Sequence, residues 1–404
     1  MNLRELPRII FANRVYWPAE AATAQLLTDL AEALAARGWP VHIIAAGTGP
    51  AERHGVLIHR TGGGERHAGR LSQALNYGSY LIAVRREITR LARPGDIVVL
   101  MTDPPLLAAA ATGVARHRGA QVVHWIQDIY PEIVPAHLGA WAALPLWPLK
   151  LWRNHAWRTA SRCLPVSEDM AQLVRTQKID AAHALAMLNW APRELDQPAA
   201  VEAVAAQRDG WSLTGKFVAA YSGNLGRVHE FATLLDAADR LRSDPEIVFL
   251  FIGDGPRFNA VRRAAESRGL ANVRFFPAQP RERLGITLAA ADVHFVTLLP
   301  GFERLVFPSK LAGILAAGRP ALFVGPPSCA LATNLSRDRC GLAFPAGDGA
   351  GVAQALQSLR ADRARVTEFG RSARASYERG YTFAQAVTRW EELLRGLATG
   401  RVAK

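Results

Sequence analysis

Short unbroken apolar runs alternate along the chain with stretches whose apolar residues recur at helical spacing. Residues 8–13 (RIIFAN) read as a buried strand, and Leu26, Leu27, Leu30 and Leu34 then mark one face of a helix over residues 23–37 that Gly38 ends. Further strands are predicted at residues 41–46, 56–60, 96–101, 121–126 and 163–166. A second series of strands follows at residues 217–222, 248–252, 273–276, 293–296 and 321–324, with helices between them at 231–242 and 257–268. Strands alternating with helices predict a doubly wound parallel sheet. Two such series predict an α/β protein of two Rossmann-like domains facing each other across a cleft. Residues 199–215 are mixed in character and read as irregular interdomain chain. The expected domains are thus 1–198 and 199–380, with a last helix at 383–397 after a break at Gly380.

Composition agrees with a folded protein. The 404 residues exceed one typical core, half of them are apolar, and 21% are charged. The net charge of +13 is spread over both halves, without a basic tail. It suits anionic partners such as nucleotides, lipid phosphates or a membrane surface, and equally a solvated Arg-rich surface. No zinc-finger spacing, RNP-type motif or base-reading basic helix is present, which argues against nucleic acid. Cys163, Cys329 and Cys340 form no CxxC pair and read as reduced structural residues of a cytoplasmic protein. No secretory signal is expected at the N-terminus, and no uncharged run approaches the roughly 20 residues that span a bilayer.

The polar and glycine-rich residues collect after the predicted strands. Gly223-Asn224-Leu225-Gly226-Arg227 follows one strand and precedes a helix expected to start near Glu230. Glycines let a backbone approach a ligand, helix N-termini favour phosphate, and Arg227 can offset a pyrophosphate leaving group. The plain strand-to-helix turn is the competing reading. Gly253-Asp254-Gly255-Pro256 follows the next strand and also reads as an ordinary turn. Pro308-Ser309-Lys310 suits the start of a helix, with a hydroxyl and a charge beside its amides, and Gly318 and Pro320 end it.

In the first half, Asp103 and Asp128 close predicted strands, where such sheets gather ligand residues. Glu132 lies four residues after Asp128 and shares its face if the stretch is helical. His124, inside the strand, reads as a satisfied core residue. Thr23 is placed to cap the helix after strand one. The segment 139–162 holds four Trp. Along it Leu149, Trp152, Ala156, Ala160 and Cys163 share a helical face, and Lys150, Arg153, His155, Arg158 and Arg162 cover much of the rest. Two readings stand for it: an interfacial helix on an anionic bilayer, touching through Trp147, Lys150, Trp152, Arg153, Trp157 and Arg158, or an amphipathic helix packed on the sheet.

The order and spacing of GNLGRVHEF (223–231), FIGDGP (251–256) and FPSKLAGILAAGRP (307–320) resemble the donor half of a family-4, GT-B-type glycosyltransferase. The segment D-x-YPE at 128–132 and TDPP at 102–105 resemble the branch that makes O-antigen, capsule and colanic-acid-type polysaccharides. The resemblance implies that residues 381–404 return to the first domain. It implies a nucleotide-sugar site at Gly223, Asn224, Gly226, His229, Gly253, Asp254, Gly255, Glu303, Pro308 and Ser309, with Asp128, Arg227 and Lys310 catalytic. Ala21, Ala22, Thr23, Asp103 and Glu132 fall on the phosphate or acceptor side.

The chain departs from the family at several points. The usual GRL with a Lys four residues after the Leu has Asn224 and His229 at its two cationic positions, so Arg227, and His229 when protonated, are expected to supply charge. The two Glu residues eight apart, the second of which binds the ribose hydroxyls, align with Leu305 and Gly313; Glu303 is expected to replace the first. Ala21 and Ala22 stand where many members have Gly.

What the resemblance implies is a retaining, metal-independent transferase without cofactor. It takes a nucleotide-sugar, a UDP-sugar first, and an undecaprenyl-diphosphate-linked saccharide. It works in the cytoplasm, peripherally on the inner membrane. A sugar-nucleotide epimerase of GT-B type and a non-catalytic membrane-associated scaffold are the alternatives.

Overall fold

The structure is a computed structural model that describes residues 6–62 and 70–400. The chain divides into two compact units. The first takes Met1–Leu188, Arg304–Phe307 and Ala386–Lys404; the second takes Asn189–Glu303 and Pro308–Gln385.

The first unit holds strands β1 (Ile9–Ala12), β2 (Val41–Ala46), β3 (Glu52–Arg53), β4 (Val56–Thr61), β5 (Ile97–Leu100), β6 (Gln121–Ile126) and β7 (Arg162–Pro165). They form one sheet in the order β3-β4-β2-β1-β5-β6-β7, parallel except for the short β3. Its central strands are buried on both faces, which is why they appear in the sequence as continuous apolar runs rather than alternating ones. Helix Ala22–Ala36 buries Leu27, Leu30 and Leu34, and Gly38 leaves it at φ +85°. The last helix, Phe383–Thr399, brings Trp390 into this unit, edge-on to Trp125 with ring centroids 4.9 Å apart and against Phe11 at 6.3 Å. Residues 401–404 of the expected returning segment lie outside the described residues.

The second unit holds β8 (Phe217–Ser222), β9 (Ile247–Ile252), β10 (Val273–Phe276), β11 (Val293–Thr297), β12 (Ala321–Val324) and β13 (Gly341–Phe344). The order is β10-β9-β8-β11-β12-β13, all parallel. The order reverses between β8 and β11, and in sheets of this kind ligands gather outside the strand ends at that point. Stacked Phe249 and Phe295, 5.8 Å apart, join β9 and β11 beneath it.

Three sequence expectations need correction. Residues 199–215 are not irregular: Val201–Gly210 is a helix whose one buried residue is Gln207, so it carries no apolar stripe to reveal it. Strand β13 pairs with β12 alone and is only partly buried, which hides it. The expected boundaries fall inside the second unit, because residues 189–198 and 381–385 clip together there. Trp190 packs on Phe383 at 5.8 Å, Ala191 N–H donates to Tyr381 O at 3.1 Å, and Tyr377 donates its hydroxyl to Asp196.

Candidate active site

In the second unit the two glycine loops lie backbone to backbone. Gly223 N–H donates to Ile252 O (2.9 Å), Leu225 N–H to Asp254 O (2.6 Å) and Arg257 N–H to Leu225 O (3.0 Å). Gly253, at φ +144°, has no room for a side chain: a Cβ there would stand 2.1 Å from Gly223 O. A Cβ on Gly255, at φ +122°, would stand 2.1 Å from Asn224 Oδ1. Both glycines are therefore required by close approach as well as by backbone angle. Asp254 serves through its carbonyl, and its side chain is exposed.

Lys310 follows β11 in sequence and reaches the loop that follows β8. Its Nζ lies 3.3 Å from the Tyr221 ring centroid. A Cβ on Gly223 would sit 3.7 Å from Lys310 Cε and 3.9 Å from Nζ. The ammonium is buried and has no hydrogen-bond partner. Burial drives its pKa well below the usual lysine value. The ring face offers it some attraction, and the Tyr221 hydroxyl is fixed by donating to Asn224 O at 2.9 Å. A buried cation without an anion is costly, and here it stands beside exposed glycine backbone at the sheet's switch point.

His229 does not supply a second charge. Its Nδ1 donates to Thr297 O at 2.6 Å, which leaves Nε2 as the lone-pair nitrogen. Burial first, and Lys310 next, push its pKa down to about 3, so the ring is neutral at physiological pH. Arg227 is exposed. The following helix starts at Ala232 rather than near Glu230, and the Glu230 carboxylate accepts from Ala232 N–H (2.8 Å) and Thr233 N–H (3.1 Å). Those amides are occupied by the protein's own anion.

The Pro308-Ser309 start is also simpler than expected. The helix is Lys310–Ala316, and Ser309 stands before it, exposed, without a capping hydrogen bond; Pro308 is buried. Gly313 faces Leu288 and Leu195, 3.4 and 3.5 Å from where its Cβ would be. The position aligned with the ribose-binding Glu thus points into the core. Glu303 accepts from Gly301 N–H at 2.8 Å, which ties it into its own turn.

In the first unit the sheet order reverses between β1 and β5. Arg14, after β1, holds Asp103, after β5, through two hydrogen bonds of 3.0 Å. Burial raises the Asp103 pKa and Arg14 opposes it. Asp128, after β6, pairs its backbone with Val306, and Ile129 N–H donates to Leu305 O at 2.8 Å. Burial, helped by the nearby Asp103 charge, pushes the Asp128 carboxyl up to about 6, near the value that serves a general base at neutral pH. His124 is fully buried, its Nε2 2.7 Å from Thr112 Oγ1, and burial takes its pKa to about 3; it is a core residue as expected but only half satisfied, because its Nδ1 has no hydrogen-bond partner.

Glu132 is not on a shared face with Asp128: the helix starts only at Ile133, and Glu132 is committed to Arg153 through bonds of 2.7 and 2.9 Å. Arg153 also lies over the Trp157 ring, 3.7 Å from its centroid. Arg153 and Trp157 are both buried, so neither can touch a membrane. Trp147, Trp152 and Arg158 are exposed, while Lys150 is half-exposed and 3.4 Å from Glu132. Thr23 is no cap either, because the cap position is Ala21, with Ala22 the first helical residue and both exposed.

Sequence reasoning missed Tyr221, Thr297 and Arg14. Tyr221 was read only as part of a strand, and nothing in a single sequence pairs it with a lysine 89 positions later. The three cysteines are free and buried, and among the described residues no cluster of three or more His, Cys, Asp or Glu side chains could hold a metal ion.

Comparison with known proteins agrees with this division. Residues 23–185 match the family model described as Glycosyltransferase Family 4, and residues 205–376 match the one described as Glycosyl transferases group 1. The chain is 27% identical over 285 residues, 70% of each chain, to the probable glycosyltransferase WbjE of Pseudomonas aeruginosa. It is 33% identical over 158 residues, 39% of each chain, to the putative colanic acid biosynthesis glycosyl transferase WcaI of Escherichia coli K12. Among solved structures, that of Anabaena Alr3699/HepE in complex with UDP superimposes with a TM-score of 0.75 at 15% identity, covering 96% of this chain and all of that one. With both halves matched in this order on a fold of two parallel-sheet domains, the chain belongs to glycosyltransferase family 4 and has the GT-B fold.

Proposed function

We propose that this glycosyltransferase moves a sugar from a UDP-sugar to a lipid-linked saccharide during bacterial surface polysaccharide synthesis, with retention of configuration and without a metal ion. The single observation that carries the reading is the buried, unpartnered Lys310 ammonium beside Gly223 at the switch point of the second sheet. A diphosphate is the anion that such a position suits. The UDP bound in the HepE structure and the colanic acid role in the WcaI name support the donor and the pathway class.

In this reading Lys310 offsets charge as the bond between the anomeric carbon and the diphosphate oxygen breaks, and exposed Arg227 adds a second cation from the loop edge. The acceptor hydroxyl oxygen forms the new bond on the same face. Its proton passes to Asp128, whose raised pKa of about 6 leaves it ionised yet basic at neutral pH. Neutral His229 keeps its Nε2 lone pair available as a hydrogen-bond acceptor for a sugar or ribose hydroxyl. The acceptor's lipid places the work on the cytoplasmic face of the inner membrane.

The test is a transfer assay with UDP-sugars and an undecaprenyl-diphosphate-linked saccharide, followed by mass spectrometry and NMR of the new linkage. One added hexose or N-acetylhexosamine, in the donor's anomeric configuration, is expected. Conversion of the donor without any acceptor would instead establish an epimerase. An inverted linkage would remove the retaining mechanism.

A further inference from the structure

Large exposed hydrophobic side chains are concentrated in one place. Of the eleven among the described residues, seven lie between residues 138 and 152 of the first unit. Trp141 sits in the 3-10 turn Ala140–Ala142, and Leu144, Trp147 and Leu151 follow on the helix Ala143–Thr159. Leu144 is 82% exposed and Trp147 58%. Leu144, Trp147, Leu151, His155 and Arg158 are spaced to form one continuous stripe, because Arg153, Ala156 and Trp157 occupy the buried side of the same helix. The stripe is apolar toward the helix start and basic toward its end. Isolated surface hydrophobics need no explanation, but seven within fifteen residues, three of them tryptophans, do.

A cavity of about 400 Å³ opens beside this stripe, with Trp152 and His155 in its wall. Arg85, Arg116 and Arg118 also line it, with His117 beside them, and no acidic side chain does. Arg85 donates to Ala110 O at 2.6 Å and Arg118 to Ala92 O at 3.2 Å, so backbone carbonyls orient both guanidiniums without neutralising them. The volume lies in the range of small-molecule sites. An apolar, tryptophan-bearing edge next to an uncompensated cationic cavity is complementary to the two layers of an anionic bilayer surface.

We propose that this face docks on an anionic phospholipid bilayer. Trp141, Leu144, Trp147 and Leu151 enter the interface, and the cavity beside Trp152 holds a lipid phosphate. This rests on the membrane-bound acceptor of the reading above and adds a headgroup site apart from the residues assigned to sugar transfer. The docking residues differ from those expected by sequence, since Arg153 and Trp157 are inside.

The experiment is flotation of the purified protein with phosphatidylcholine vesicles, with and without phosphatidylglycerol and without nucleotide. The variants are a triple one, Leu144→Ser, Trp147→Ser and Leu151→Ser, and a double one, Arg116→Ala and His155→Ala. All five residues are exposed, and a retained UDP-induced thermal shift shows that each variant is folded and that donor binding is a separate matter. The wild type is expected to float with phosphatidylglycerol vesicles. The triple variant should lose binding at least ten-fold, and the double variant should lose the preference for phosphatidylglycerol. Wild-type protein that stays with the pellet, or a triple variant that floats as well as wild type, overturns the proposal. So does a cavity that responds to soluble glycerol phosphate while vesicles are ignored, or a triple variant whose only change is the loss of a dimer.

Discussion

Lys310 Nζ stands 3.3 Å from the centroid of the Tyr221 ring and has no hydrogen-bond acceptor. The lysine is thus held at a cost in the ligand-free protein, a cost that the proposed diphosphate would offset. Lys310→Gln should therefore raise the stability of the ligand-free protein by about 1–3 kcal/mol while abolishing stabilisation by a nucleoside diphosphate. Urea unfolding with and without ligand measures both. A variant that is destabilised and still responds to ligand would place the anion site elsewhere.

The same lysine predicts a proton linkage. Burial lowers its pKa in the free protein, and a bound diphosphate would raise it again. Binding should take up a proton in the interval between the two values. Affinity should then fall as pH rises through that interval and be flat below it. Calorimetry in buffers of different ionisation enthalpy reads the uptake directly, and Lys310→Gln should remove it.

Asp128 gives a second pH signature with its own sign. Its folded pKa of about 6 lies above the unfolded value near 4, so the folded state binds more protons between them. Stability from this group is full below about pH 4 and is lost as pH rises to about 6. Asp128→Asn should match wild type at low pH and be more stable by roughly 1–3 kcal/mol above pH 6. Its turnover should drop by about 10²–10⁴-fold if the carboxylate is the acceptor's base. Wild-type turnover should decline below about pH 6 for the same reason.

Gly313 tests the missing ribose carboxylate. Because its Cβ would point at Leu288 and Leu195, Gly313→Glu should bury an unpaired carboxyl. It should lower stability by at least about 2 kcal/mol without tightening nucleotide binding. Tighter binding with unchanged stability would mean that the position faces the ribose after all.

Much of the fold was legible because the central strands of doubly wound sheets are buried on both faces. Runs such as residues 41–46, 121–126 and 217–222 could hardly be anything else. The helix Val201–Gly210 was not legible, since it buries little and carries no stripe. Around the site, the glycine loops and Lys310 were visible as motifs. What they do to one another was not. That His229 is neutral follows from its burial and its bond to Thr297, contacts made 68 positions apart. Arg153 and Trp157 misled for a related reason: helical spacing shows which residues share a face, but not that Glu132 and the sheet claim one of those faces.

The central proposal is a nucleotide-sugar transferase that would manage the diphosphate with Lys310 rather than a metal. The most direct measurement is a thermal-shift panel of UDP, GDP, CMP, ADP and TDP, with and without EDTA, on wild type and Lys310→Gln. A ligand at 100 times its Kd adds about 2.7 kcal/mol, which is readily seen. The account predicts stabilisation by UDP alone, indifferent to EDTA and absent in the variant. Stabilisation that EDTA removes, or no response to any nucleotide, would contradict it.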